Sequence, residues 1–219
     1  MELVVSYSFT SIILLLRLLL PYNPNLTEKI NKTINEIFDI SIYLLKLSIF
    51  LITIIYNIDF SDEVIFNDNS NDSISQVLTF NNYDYTINAF LYLYQKEYEF
   101  LYHHIITISC IGLCQSYNYH NISLICLFLF NLSSPILSIA KICRMNNYKQ
   151  LSVISFISFA IVFFICRILI FSYILYCSIF NEFYDTYRYY FINGTELLIY
   201  KLQLHWMYKI IRAIIDNKK

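Results

Sequence analysis

His103 and His104 stand side by side at the head of an apolar run, and Asn131-Leu132-Ser133-Ser134-Pro135 interrupts the next one. Imidazole gains and loses a proton near neutral pH, so a histidine pair is a candidate general base. Neighbouring helical residues point about 100° apart, so the two rings do not readily chelate one metal. Thr107 lies one turn beyond His103, on its face. Asn131, Ser134, Ser138 and Lys141 recur at steps of three and four residues and share a face of their own. Pro135 has no N–H, and its ring clashes with the carbonyl of Asn131, four residues back. A kink is expected there, with nearby serine hydroxyls available to the freed carbonyl. Arg167 is the single charge in a long apolar stretch, so it calls for an anionic ligand or for backbone carbonyls at the proline kink. In the last apolar stretch Lys201, His205, Lys209 and Arg212 form a basic face opposite Leu204, Trp206, Ile210 and Ile211. Such a face suits phosphate groups at a cavity mouth, or anionic lipid.

The elements that carry these residues belong in a bilayer. Of 219 residues, 58% are hydrophobic and 14% charged, against roughly 25% charged in a soluble domain. Apolar windows predict spans near 3–20, 37–58, 82–95, 100–117, 121–142, 150–180 and 191–213. The third is short, so the expectation is an all-α, multi-pass transmembrane helix bundle of six or seven spans. Residues 1–36 hold a first span and its loop, 37–215 the main membrane domain, and 216–219 a basic tail. Glu2 in place of a basic leader and Arg17 within the apolar run make the first stretch a retained span rather than a signal peptide. Six cysteines without a C-x-x-C pair read as small packing residues, and neither a metal nor a cofactor is expected. A net charge of −1 argues against nucleic acid as a partner.

Charge predicts the orientation. Residues 59–84, read as a loop, hold Asp59, Asp62, Glu63, Asp68, Asp72 and Asp84 without a Lys or Arg. Lys29, Lys32, Lys141, Arg144, Lys149, Lys209, Arg212, Lys218 and Lys219 fall on the other side when seven spans alternate. The excess of Lys and Arg puts that side, with the C-terminus and the histidine pair, in the cytosol. The sequons at Asn25 and Asn31 would then be unused, while Asn71 would be open to glycosylation.

From His103 onward the chain resembles the TLC-domain family, the membrane fold of ceramide synthases and several other lipid-handling proteins. The ceramide-synthase signature aligns without a gap on His103, His104, Thr107, Asn118, Ala140 and Lys141. Its second His-Asp pair falls on Phe130 and Asn131, and its later acids fall on Ser134 and Ser138. The non-synthase branch is more similar, because its Glu-Leu-Ser-Ser-Pro aligns with Asn131 to Pro135. Its Trp-Phe-Tyr-Lys element resembles Trp206-Met207-Tyr208-Lys209, and an Arg after a Phe-rich run recurs at Arg167. The resemblance covers residues 40–215 and implies a helix bundle around a lipid-sized cavity in the endoplasmic reticulum or plasma membrane, and the endoplasmic reticulum or another internal membrane is the location expected here. It further implies membrane lipid, or acyl-CoA, as the partner. Polar groups left facing hydrocarbon would cost several kcal/mol each, so Thr107, Asn131, Ser134, Ser138, Arg167 and His205 are expected along the cavity. Two functions follow as alternatives. One is binding or regulation of membrane lipid without catalysis. The other is acyl-CoA-dependent acyl transfer using His103 or His104. Channel function has little support, since charge rings and glycine-rich filter loops are missing from the sequence.

Overall fold

The computed structural model describes residues 27–58, 72–180 and 186–216. The expected first span, the first half of the acidic loop (59–71), the sequons at Asn25 and Asn71, and residues 217–219 lie outside them. The described chain is all helix. It forms α1 (Glu28–Asn57), α2 (Asp72–Gln95), α3 (Tyr98–Ser116), α4 (His120–Leu132), α5 (Ser134–Met145), α6 (Lys149–Phe163), a π-helical segment (Phe164–Ile170), α7 (Phe171–Ile179) and α8 (Thr186–Asp216). α4 and α5 make one broken rod, and α6 to α7 make another, so six rods alternate in direction. Three of them are long and apolar enough to cross a membrane: Glu28–Asn57, His120–Met145 and Lys149–Ile179.

The third expected span begins earlier than its apolar window. The helix expected from residue 82 begins at Asp72. Its first three turns, Asp-Ser-Ile-Ser-Gln-Val-Leu-Thr-Phe-Asn, are too polar for an apolar window, yet they are helical and pack. Ile74, Val77 and Leu78 join Phe50, Ile54, Ile111, Leu124 and Leu127 in one apolar cluster. Asn81 donates its amide to the Val77 carbonyl, and Thr79 donates to Ser75, so these side-chain donors are used on their own helix. Asp84 is therefore an interior residue rather than a loop acid.

Three tight turns reverse the chain through a residue with positive φ: Lys96 (60°), Asn118 (61°) and Asn147 (62°). In each, the following N–H bonds five residues back: Glu97 to Tyr92, Tyr119 to Cys114 and Tyr148 to Cys143. This is the Schellman ending of a helix, usually built on glycine. The chain has only two glycines, and asparagine, which tolerates the left-handed region, fills two of the three positions.

α1, α2, α3, α8, α6 with α7, and α5 pack in that order as a ring that closes from α5 back to α1. α4 packs inside the ring against α1, α2, α3 and the π segment. Nine of its thirteen residues are buried, against four of twelve in α5. The break at Ser133 and Pro135 thus takes the rod from the centre of the bundle to its wall. One half of the bundle, toward the α3–α4 turn, is filled by α4. The other half, toward the α2–α3 and α5–α6 turns, is left open inside.

Candidate functional site

A cavity of about 500 Å³ occupies that open half. Its wall draws on α1 (Asp39, Tyr43, Lys46), α2 (Asp84, Tyr85, Asn88, Tyr92), α3 (Phe100, His103, His104), α4 and α5 (Phe130, Asn131, Ser134, Ser138, Lys141), the α6 rod (Phe156, Phe159, Phe163, Arg167) and α8 (Trp206, Lys209, Ile210). Glu97, Lys141 and Lys209 are exposed at its rim. From Gln95 down α2 to Asp84 is eleven residues, about 16 Å at the helical rise, so the charged floor is deep inside the bundle.

The histidines sit on the first turns of α3, both buried. His103 packs against Trp206 with ring centroids 4.7 Å apart, and His104 packs against Tyr85 and Tyr92, each at 5.0 Å. The His104 Nδ1 lies 3.0 Å from the Phe100 carbonyl. A carbonyl only accepts, so Nδ1 carries the proton and, in the neutral ring, Nε2 is the basic nitrogen. His103 Nδ1 has no hydrogen-bond partner among the described residues.

At the proline break, the carbonyl of Asn131 accepts from the Ser133 backbone N–H. Phe130, in the last turn of α4, has a carbonyl without an intrahelical donor. Arg167 Nη2 donates to it, with the Ser134 Oγ 3.4 Å away, and Nη1 reaches the Gln203 Oε1 at 3.3 Å. The guanidinium also lies 5.0 Å from the Phe163 ring and 5.6 Å from the Phe130 ring. Of the two partners expected for Arg167, the backbone carbonyl at the kink is the one that the protein itself supplies. The π segment turns the side chain inward. Ser155, Phe159, Phe163, Arg167, Phe171 and Leu175 are buried at steps of four, wider than the 3.6 of an α-helix. A wider turn with i→i+5 bonds keeps the stripe on one side.

The floor also holds a pair that the sequence reading missed. Lys46 donates to Asp84 Oδ2, with 5% and 4% of the two side chains exposed. Lys46 sits within an apolar run and Asp84 within the helix that packs beside it, and an acid and a base so placed are candidates for each other. The signal was lost because Asp84 was assigned to the acidic loop.

Of the expected site residues, His103, His104, Asn131, Ser134, Ser138 and Arg167 line the cavity. Thr107 and His205 do not. The Thr107 hydroxyl donates to the His103 carbonyl at 2.9 Å, and its side chain faces a separate small apolar pocket beside Glu196 and three cysteines. His205 is exposed on α8, because the cavity-facing stripe there runs through Trp206, Lys209, Ile210 and Ala213. At the rim, Lys209 holds Glu99 at 2.5 Å across α3 and α8, and Lys141 holds Glu36 at 3.0 Å across α5 and α1. The hydrogen bond from Lys209 keeps the Glu99 carboxyl below the usual carboxylate range. Among the described residues, no three His, Cys, Asp or Glu side chains converge as metal ligands.

Two mouse proteins are similar over 116 residues, 51% of this chain. Ceramide synthase 3 is 28% identical there and ceramide synthase 4 is 27% identical. The aligned stretch spans only 30% of the length of each relative. The sequence profile of the TLC domain matches residues 2–212. The chain belongs to the TLC-domain family.

Proposed function

We propose that this protein binds a membrane lipid in the central cavity and acts on membrane composition through that binding rather than through catalysis. One observation carries the reading. Buried polar groups from five rods converge on one interior space of about 500 Å³ whose remaining wall is aromatic and aliphatic, the mixed lining that an amphiphile needs. The site opens among the basic ends of the helices, so the occupant comes from the cytosolic leaflet, with the C-terminus on the same side. The host is the endoplasmic reticulum or another internal membrane.

The second reading is acyl transfer from acyl-CoA, favoured by the basic Nε2 of His104 and by the similarity to two ceramide synthases. A histidine base contributes about 10²- to 10⁴-fold when an acid orients it. At the place where the family signature carries that acid stands Asn131, whose amide donates to the Leu127 carbonyl at 2.7 Å. An amide orients a ring but does not stabilise an imidazolium by charge.

One preparation tests both readings. Cells without their own ceramide synthases express this chain and are fed a photoactivatable lipid. Crosslinks are expected on segments 84–104 and 130–141, and microsomes are expected to form no ceramide from long-chain acyl-CoA. Crosslinks confined to the outer, lipid-facing residues would refute the binding site. Ceramide formation abolished by His103→Ala or His104→Ala would establish the second reading.

A further inference from the structure

The floor of the cavity carries an unbalanced positive charge. Lys46, Asp84 and Arg167 are all buried there, at 4%, 3% and 8% exposure. Lys46 and Asp84 neutralise each other. Arg167 meets only neutral acceptors, the Phe130 carbonyl, Ser134 and Gln203, and has no carboxylate among the described residues within ion-pair distance. Its Nε has no hydrogen-bond partner, and neither has Asp84 Oδ1. A buried guanidinium with a free N–H is stable beside an anion and costly without one. The two rim lysines do not supply this need, being cations already engaged by Glu36 and Glu99.

We propose that the floor is a headgroup subsite for an amphiphile whose polar end is an anion, a carboxylate or a phosphate, seated on Arg167. The inference rests on the lipid-binding reading and narrows it to a headgroup charge. Lys46 acts from the side of the site, and Asp84 limits how much negative charge the floor accepts. The aromatic and aliphatic wall above takes the chain of the amphiphile. A zwitterion brings no net charge to the floor and is a weaker occupant.

The test uses the full chain purified in a neutral detergent, with the melting shift produced by each added lipid measured against the same protein without lipid. A fatty acid and phosphatidic acid are the anionic arms, zwitterionic phosphatidylcholine and diacylglycerol the arms without net charge, and inorganic phosphate the arm without a chain. The anionic lipids are expected to bind about ten- to a hundredfold tighter than those without net charge, the usual worth of hydrogen bonds to a charged partner. Arg167→Gln is expected to abolish that preference. Asp84→Asn raises the positive charge of the floor and is expected to enlarge it, so the two variants move in opposite directions and a folding defect in one leaves the other to decide. Equal binding of anionic lipids and lipids without net charge overturns the headgroup subsite and leaves lipid binding intact. Inorganic phosphate binding as tightly as phosphatidic acid overturns a lipid as the source of the anion. No shift with any lipid refutes the lipid-binding reading itself.

Discussion

Lys46 and Asp84 answer each other across α1 and α2 from inside the bundle, and the energetics of such a pair are asymmetric. Removing one partner leaves a buried charge alone, at about 3–5 kcal/mol. Replacing both with apolar groups of similar size is neutral or even stabilising. Lys46→Met is therefore expected to lower the stability of the purified protein by about 3–5 kcal/mol, and Lys46→Met with Asp84→Leu to return it close to the parent value, as read in denaturant titrations. If the double variant is as unstable as the single, the pair does not account for the loss. At this scale the sequence was partly legible. The histidine pair, Asn131, Ser134 and Arg167 announced themselves because each is polar within an apolar run. Lys46 and Asp84 did not: Asp84 stands among asparagines and a threonine and was assigned to a loop, and a pair is visible only when both helices are drawn in the right place.

At the scale of elements, the break between α4 and α5 decides where space opens. Its position was readable because the cause is local: proline has no N–H, and its ring acts on the residue four back. The π segment was not readable. The buried stripe runs at steps of four, but whether a helix answers such a stripe by twisting round its neighbours or by widening one turn depends on the partners it packs against. The polar start of α2 was lost for a similar reason, since its side chains are satisfied by their own backbone and by packing, neither of which shows in hydropathy. Pro135→Ala restores the missing donor and lets the rod run straight. Spin labels on α4 near residue 125 and α5 near residue 142 are expected to move apart, and lipid crosslinking to the cavity wall is expected to fall. An unchanged separation would place the cause of the break elsewhere.

For the whole molecule, alternation of six rods puts the N-terminal end of α1, the α2–α3 turn, the α5–α6 turn and the C-terminal end of α8 on one side. Lys29, Lys32, Lys96, Arg144, Lys149 and Arg212 lie at that side, while the sequence 59–71 between α1 and α2 carries acids and no base. The positive-inside rule then predicts a cytosolic C-terminus. A reporter sequon fused after Lys219 is expected to stay unmodified while Asn71 is glycosylated, and modification of the C-terminal sequon would reverse the topology. Fold class was the most legible property of the chain, because composition alone excludes a soluble core. The closing of the ring around α4 was not legible, since nothing in a single sequence says which helix goes to the centre.

The central position of α4 makes the interior a blind vestibule. One half of the bundle is taken up by a helix with most of its residues buried, which leaves a small apolar pocket there, so an occupant of the large cavity would leave by the end it entered. Taken as the proposed lipid site, such a chamber would not hand a molecule from one leaflet to the other. It would exchange its occupant by letting one go before the next arrives, and would hold at any moment a sample of the single leaflet it faces.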